Sequence, residues 1–244
     1  MKVKAIALLL ICLCLITGCS TTVMLENLEV PLAAAVPNIL MPQLGDKQES
    51  NNKATIDYSN IADGYVMVKF NTKSSKLLKV QITGPSTTAY TYNLKQDASW
   101  EVFPLSDGNG AYTVKVYQQT SGNKYSSVLS KALKVTLKDE FAPFLLPNQY
   151  VNYNPESKTV AKANELVKNK KTELAKLEAI YNFLVKEFTY DKELAASVKG
   201  GYLPDLDKVL AAKKGICFDY AALMAGMLRS QGIPTKLVIG YTLS

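Results

Sequence analysis

The stretch Lys214-Gly215-Ile216-Cys217-Phe218-Asp219-Tyr220-Ala221-Ala222-Leu223, continuing through Met227-Leu228-Arg229-Ser230-Gln231-Gly232-Ile233-Pro234, decides how the second half of this chain is read. A glycine turn delivers a cysteine, and the cysteine opens a run of helix formers: Ala221, Ala222, Leu223, Met224, Ala225, Met227 and Leu228. Gly232 is suited to end that helix in a left-handed conformation, and Pro234 bars its resumption. The small residues Ala221, Ala222, Ala225 and Gly226 let the helix press closely on its neighbours, so it is expected to be buried. Thr235 to Tyr241, β-branched and apolar, reads as the next strand.

Unpaired N–H groups at a helix start act as a partial positive charge. A thiol there is favoured as thiolate, the nucleophilic form, and the same N–H groups suit the oxyanion that follows attack on a carbonyl. The bland alternative is a cysteine serving as a small buried hydrophobe. Spacing alone leaves both open.

Gly215-Ile216-Cys217-Phe218-Asp219-Tyr220-Ala221, then Met227 to Pro234 and Val238-Ile239-Gly240-Tyr241, resembles the bacterial transglutaminase-like (transglutaminase/protease) domain. The resemblance covers roughly the last third of the chain. It implies a papain-like fold with the nucleophile at a helix start packed on an antiparallel sheet. It also implies a Cys-His-Asp triad, in which Cys217 matches the nucleophile. Asp219, in the first helical turn, is expected to cap N–H groups and complement the helix dipole. The triad acid of that family follows its histidine, so Asp219 is not that residue.

The sequence contains no histidine. In the family it resembles, histidine and acid lie on strands beyond the Gly-Tyr strand, and here that strand is followed only by Thr242, Leu243 and Ser244. A fragment of a longer protein is the preferred expectation, with a truncated gene or a degenerate non-enzyme as alternatives. As given, the chain cannot run a Cys-His mechanism by itself.

At the other end, Met1-Lys2-Val3-Lys4 is a basic head, and Ala5 to Ile16 is an apolar run too short to span a bilayer, which needs about 20 residues. The pattern is that of an export signal. Ile16-Thr17-Gly18-Cys19-Ser20 resembles the lipobox of bacterial lipoproteins. This implies lipidation of Cys19, cleavage before it (residues 1–18 removed), and anchoring at the extracytoplasmic face of the cell membrane by two or three acyl chains.

Of the four cysteines, Cys12 and Cys14 fall in the discarded run and Cys19 would carry lipid, which leaves Cys217 as the free thiol. That excludes disulfide bracing within the mature chain and a cysteine-based metal site; no metal or other cofactor is expected. The net charge of +7 is almost wholly lysine, with Arg229 the single arginine. Dispersed lysines mark a solvated surface more than a nucleic-acid site, and attraction to anionic lipid or wall polymers is the more natural consequence. No nucleic-acid partner is expected.

Residues 19–53 hold Pro31, Pro37 and Pro42, then a polar run, and read as a tether. Residues 54–139 alternate with period two in Tyr65–Phe70, Leu78–Ile82, Ala89–Leu94, Trp100–Phe103, Tyr112–Tyr117 and Leu133–Leu137. Turn signals such as Asp63-Gly64, Gly84-Pro85 and Ser121-Gly122-Asn123 separate them. About seven short strands argue for an antiparallel β-sandwich. Leu105, Gly110, Tyr112, Val114 and Val116 resemble a late strand of immunoglobulin or fibronectin type III folds, with Tyr112 a candidate tyrosine corner and Trp100 a candidate core residue. Tyr90, Tyr92 and Tyr117 are candidates for a carbohydrate-stacking strip, against a default role of the sandwich as spacer.

Residues 140–154 read as an extended linker, with Pro143 and Pro147. In residues 155–244, Asn154-Pro155 is a helix start. Thr172 caps a second helix whose Leu174, Leu177, Ile180, Tyr181, Leu184 and Phe188 form one apolar stripe. The expected whole is an immunoglobulin- or fibronectin-III-like β-sandwich followed by what the resemblance implies is the first part of a papain-like α+β core. The implied protein is a surface-anchored cysteine enzyme acting on amide bonds of protein or cell-wall peptides through a thioester. Its products would be cross-links, deamidation or proteolysis. The alternative is a non-catalytic adhesion or scaffold lipoprotein.

Overall fold

The computed structural model describes residues 39–238 and 240. The export signal, Cys19 and Tyr241 lie outside the described residues. No helix among the described residues is long and apolar enough to cross a membrane.

Eight strands build the first half: β1 (Gln48–Ser50), β2 (Ala54–Asp57), β3 (Tyr65–Phe70), β4 (Leu78–Thr83), β5 (Ala89–Leu94), β6 (Glu101–Pro104), β7 (Gly110–Ser121) and β8 (Lys124–Val135). They form two four-stranded antiparallel sheets, β1-β2-β3-β6 and β5-β4-β7-β8. The alternation seen in the sequence is the cause. Leu78, Val80 and Ile82 of β4 and Tyr112, Val114 and Val116 of β7 point inward, onto Val66, Val68 and Phe103 of the facing sheet. Tyr112 makes the corner: its hydroxyl accepts from the N–H of Asp107 at 2.9 Å and donates to the carbonyl of Gly108 at 2.8 Å.

Several expectations change here. The polar stretch from Gly45 is not a tether: Gln48–Ser50 is strand β1, and Gly45 N–H bonds the Asp57 carboxylate at 2.9 Å. Backbone pairing with β2 supplies the order that apolar content does not. Trp100 lies outside the sandwich interior, with Val102 against Tyr65, Met67 and Leu146. Strand β3 is therefore buried on both faces, one by the opposite sheet and one by the segment after the sandwich. That segment, read as an extended linker, contains a turn of 3₁₀ helix at Ala142–Phe144 and buries Pro143, Leu146, Val151 and Tyr153. It is core for both halves.

The second half is helical: α1 (Lys158–Val167), α2 (Glu173–Glu187), α3 (Lys192–Ser197), α4 (Leu206–Ala212) and α5 (Cys217–Ser230). Their core joins Val160 and Ala163 of α1, Ile180 and Leu184 of α2, Leu206 of α4 and Leu223 of α5. Helix α1 starts one turn later than Asn154-Pro155 suggests. Asn154 instead caps a turn, accepting from Glu156 N–H at 3.0 Å. The start of α1 is fixed by a distant acid: the Asp207 carboxylate accepts from the N–H groups of Lys158 (3.0 Å) and Thr159 (2.8 Å) and from the Thr159 hydroxyl (2.8 Å). Thr172 does cap α2, through Ala175 N–H at 3.2 Å.

The α2 stripe is only half covered. Ile180 and Leu184 are buried, whereas Leu174 (75 % exposed), Tyr181 and Val185 (61 %) face outward. The strand expected from Thr235 is not formed over 235–238. Thr235 N–H bonds the Phe144 carbonyl at 2.9 Å instead, and a strand needs a ladder partner that no described residue provides. Nor do the described residues contain the antiparallel sheet implied by a papain-like core; α5 packs on helices α1, α2 and α4.

Candidate active site

The turn before α5 is shaped by a two-residue parallel pair, β9 (Thr189–Tyr190) with β10 (Lys214–Gly215). Lys213 leaves α4 in a left-handed conformation (φ 48°), which turns the chain toward that pair. Thr189 N–H then bonds the Lys213 carbonyl at 3.0 Å, and Asp191 N–H bonds that of Gly215 at 2.8 Å. The lysines beside the thiol are neutralised by carboxylates: Lys213 by Glu187 at 2.7 Å, Lys214 by Asp191 at 3.2 Å and Glu193 at 3.6 Å. They are not a reserve of positive charge for the sulfur.

Ile216 is the extended N-cap residue of α5 and has no side-chain acceptor to offer. Asp219, wholly buried, takes over by accepting the N–H of Ile216 at 2.8 Å. Its carboxylate also accepts the hydroxyl of Tyr202 at 2.7 Å. Burial, followed by that bond to a carboxylate, pushes the Tyr202 phenol up to about 12. Gly215 is required by this approach, because a Cβ there would sit 2.7 Å from Asp219 Cβ. Asp219 is thus committed to holding the helix start.

Cys217 is the first residue of α5, and its side chain is exposed. Tyr220 N–H bonds the Ile216 carbonyl, whereas the N–H groups of Cys217, Phe218 and Asp219 have no partner among the described residues. An exposed thiol at the positive end of a 14-residue helix, with free N–H groups beside it, is the arrangement that nucleophilic attack on a carbonyl needs. The described residues hold no cluster of three or more His, Cys, Asp or Glu suited to a metal.

Next to the cysteine, Phe218 stacks edge-on against Tyr150 at 5.8 Å and Tyr202 at 6.4 Å. Tyr150 in turn contacts Tyr92 of the sandwich at 5.5 Å, and Tyr92 packs on Phe103 at 5.2 Å. The proposed tyrosine strip is therefore not a surface strip: Tyr92 is buried at this junction, and Tyr117 bonds Gln81 elsewhere on the sheet. A cavity of about 250 Å³ opens beside Phe218, walled by Thr91, Asn93, Tyr150 and Tyr202. A second, of about 270 Å³, lies across Tyr150 and is lined by Tyr90, Tyr92, Arg229 and Lys236. Tyr220 packs on Phe188 at 5.9 Å.

Arg229, near the end of α5, is 4 % exposed and donates only to backbone. Its Nε and Nη2 bond the Thr235 carbonyl at 2.9 and 2.7 Å, and Nη1 bonds the Leu146 carbonyl at 2.7 Å. Burial pulls its pKa down to about 10, which leaves it a cation at neutral pH. Sequence reading passed over Arg229, Tyr150 and Tyr202 because nothing local marks them. Arg229 reaches Leu146 on the segment after the sandwich, Tyr150 reaches Tyr92 in the sandwich, and Tyr202 reaches Asp219 across a loop and helix α4.

Residues 160–244 match the family model of the transglutaminase-like superfamily. No curated protein sequence matches the chain. Two solved β-sandwiches are similar in structure. One is the fn3 domain of the human collagen α-1(XX) chain, at 13 % identity and TM-score 0.29, covering 40 % of this chain and 92 % of that one. The other is a computer-redesigned β-sandwich protein, at 13 % identity and TM-score 0.27, covering 41 % of this chain and 100 % of that one.

Proposed function

We propose that residues 160–244, a transglutaminase-like domain, carry the nucleophile of a cysteine enzyme that acts on amide bonds, with Cys217 as that nucleophile. The observation that supports this best is the exposed Cys217 thiol at the head of α5, beside free N–H groups held in place by Asp219 and Tyr202. The Cys217 thiolate adds to an amide carbonyl while first-turn N–H groups hold the oxyanion. The C–N bond breaks, the leaving amine takes a proton, and a thioester remains. An amine or water then attacks the thioester carbonyl, the S–C bond breaks and the thiolate returns. Amine attack gives cross-linking; water gives deamidation or proteolysis. With no histidine in residues 1–244, the imidazole for the proton transfers must come from outside them.

That same absence favours a second reading, a non-catalytic adhesion or scaffold protein. Alkylation of Cys217 by iodoacetamide at neutral pH separates the two. A folded chain reacting faster than the urea-unfolded chain upholds the nucleophile; a rate equal to or below it overturns that reading.

The location belongs to the same proposal: lipid on Cys19, anchoring at the extracytoplasmic face of the membrane, and surface proteins or wall peptides as substrates. The support is the basic head, the short apolar run and the Ile16-Thr17-Gly18-Cys19 box. Mass spectrometry of the protein from a lipoprotein-exporting bacterial host is expected to find a diacylglyceryl group on an N-terminal Cys19. An unmodified cysteine there overturns it.

A further inference from the structure

The cavity across Tyr150 has a largely apolar lining into which several hydrogen-bond donors open, and none of the described residues that line it carries a carboxylate. A guanidinium has five N–H groups, and Arg229 uses three, so one hydrogen on each of Nη1 and Nη2 has no partner among the described residues. The Tyr92 side chain is 8 % exposed, yet its hydroxyl has no protein partner there and it lines the cavity. Asn148 accepts from the N–H groups of Tyr150 and Val151 through Oδ1, and its amide NH₂ has no partner among the described residues. Lys236 sits over the Phe144 ring at 5.3 Å with no carboxylate beside it among the described residues. No wholly buried side-chain nitrogen or oxygen among the described residues lacks a partner, so the Tyr92 hydroxyl reaches solvent, and an acceptor bound in the cavity would take the place of water there. Phe144, Pro104 and Leu237 provide an apolar wall.

We propose that this cavity at the junction of sandwich and helices is a binding subsite for a peptide carboxylate carried on a small apolar body. Arg229 and Lys236 supply the charge, and Tyr92 and Asn148 the neutral donors. At about 270 Å³ the space lies just under the range of sites for drug-sized ligands, which suits one side chain with its carboxylate. Arg229 lies ~18 Å from Cys217 along α5 at ~1.5 Å per residue. An extended peptide of roughly five or six residues spans that distance. Placing the subsite on the substrate's path rests on the reading of Cys217 given above.

The test is an NMR titration of the full chain that follows the side-chain N–H signals of Arg229 and Asn148. The probes are N-acetyl-leucine, its amide, and N-acetyl-glutamic acid α-amide. The carboxylates are expected to shift these signals, with N-acetyl-leucinamide at least tenfold weaker. Preference for N-acetyl-leucine assigns the subsite to a chain terminus; preference for the glutamate derivative assigns it to an acidic side chain. Lys236→Glu and Tyr92→Phe, which spare the buried arginine, are expected to weaken carboxylate binding about tenfold and about threefold. Equal binding of acid and amide overturns the proposal. So does the absence of any carboxylate shift at about 10 mM, well above the ~1 mM scale of weak affinity. Fast alkylation of Cys217 without carboxylate binding removes the subsite alone. Carboxylate binding beside an unreactive thiol upholds the subsite and removes the catalytic reading.

Discussion

The Tyr202 hydroxyl donates to the Asp219 carboxylate at 2.7 Å, and through that contact a loop residue helps hold the first turn of the helix that begins with Cys217. Asp219 is wholly buried, and its other bond, from Ile216 N–H, closes the cap that Ile216 cannot make with its own side chain. Asp219→Ala removes both bonds and leaves a buried N–H and a hydroxyl unpartnered. A loss of about 2–3 kcal/mol in urea unfolding is expected. Tyr202→Phe removes one bond and is expected to cost about 1 kcal/mol. Faster Cys217 alkylation in Asp219→Ala than in the parent would contradict the positioning role.

The same pair sets a pH dependence. In the fold the Tyr202 phenol is raised to about 12 from an ordinary value of about 10, so the folded state favours its neutral form. The sign follows from that: its contribution is fully present below pH ~10 and is lost as pH rises toward ~12. Tyr112 is raised in the same way, so the informative quantity is the difference between the parent and Tyr202→Phe. The variant's stability is expected to fall less steeply between pH ~10 and ~12; parallel profiles would refute the assignment.

Gly226 sits in the middle of α5, where alanine would ordinarily add about 1 kcal/mol of helix stability. A Cβ there would lie 2.6 Å from Leu206 Cδ1 and within van der Waals contact of Val151 and Tyr153. Overpacking of this kind costs about 1–3 kcal/mol, so Gly226→Ala is expected to be destabilising overall. Adding Leu206→Ala should make the pair of substitutions less damaging than the sum of the two. Thermal unfolding of the four proteins measures the coupling.

Tyr150 links the halves through Tyr92 on one side and Phe218 on the other. Tyr150→Ala is expected to cost about 2–3 kcal/mol and to separate the unfolding of sandwich and helices. Coincident transitions monitored in the two parts, with unchanged stability, would show that the contact does not couple them.

The sandwich was legible because strands with one face inward carry their own signal. The alternation in Leu78–Ile82 and Tyr112–Tyr117 survives as the inward rows of β4 and β7. Where a segment is ordered by backbone pairing or by contact with a distant surface, no such signal exists. Strand β1 therefore passed for tether, and residues 140–154 for linker, although Val151 and Tyr153 belong to the helical core. The full apolar stripe on α2 was also an overestimate, because periodicity shows which face is apolar and not how much of it is covered.

By itself, the sequence determined that Cys217 opens a helix, that the helix ends before Pro234, and that Asp219 belongs to its first turn. These follow from backbone geometry within a few residues. Tertiary structure decided the rest: Tyr202 as the partner of Asp219, Asp207 as the cap of α1, and the cavity where Arg229, Tyr92 and Asn148 meet. The physical reason is that a buried polar group takes whatever partner the packed chain brings within about 3 Å. That partner can lie dozens of residues away, out of reach of any local pattern.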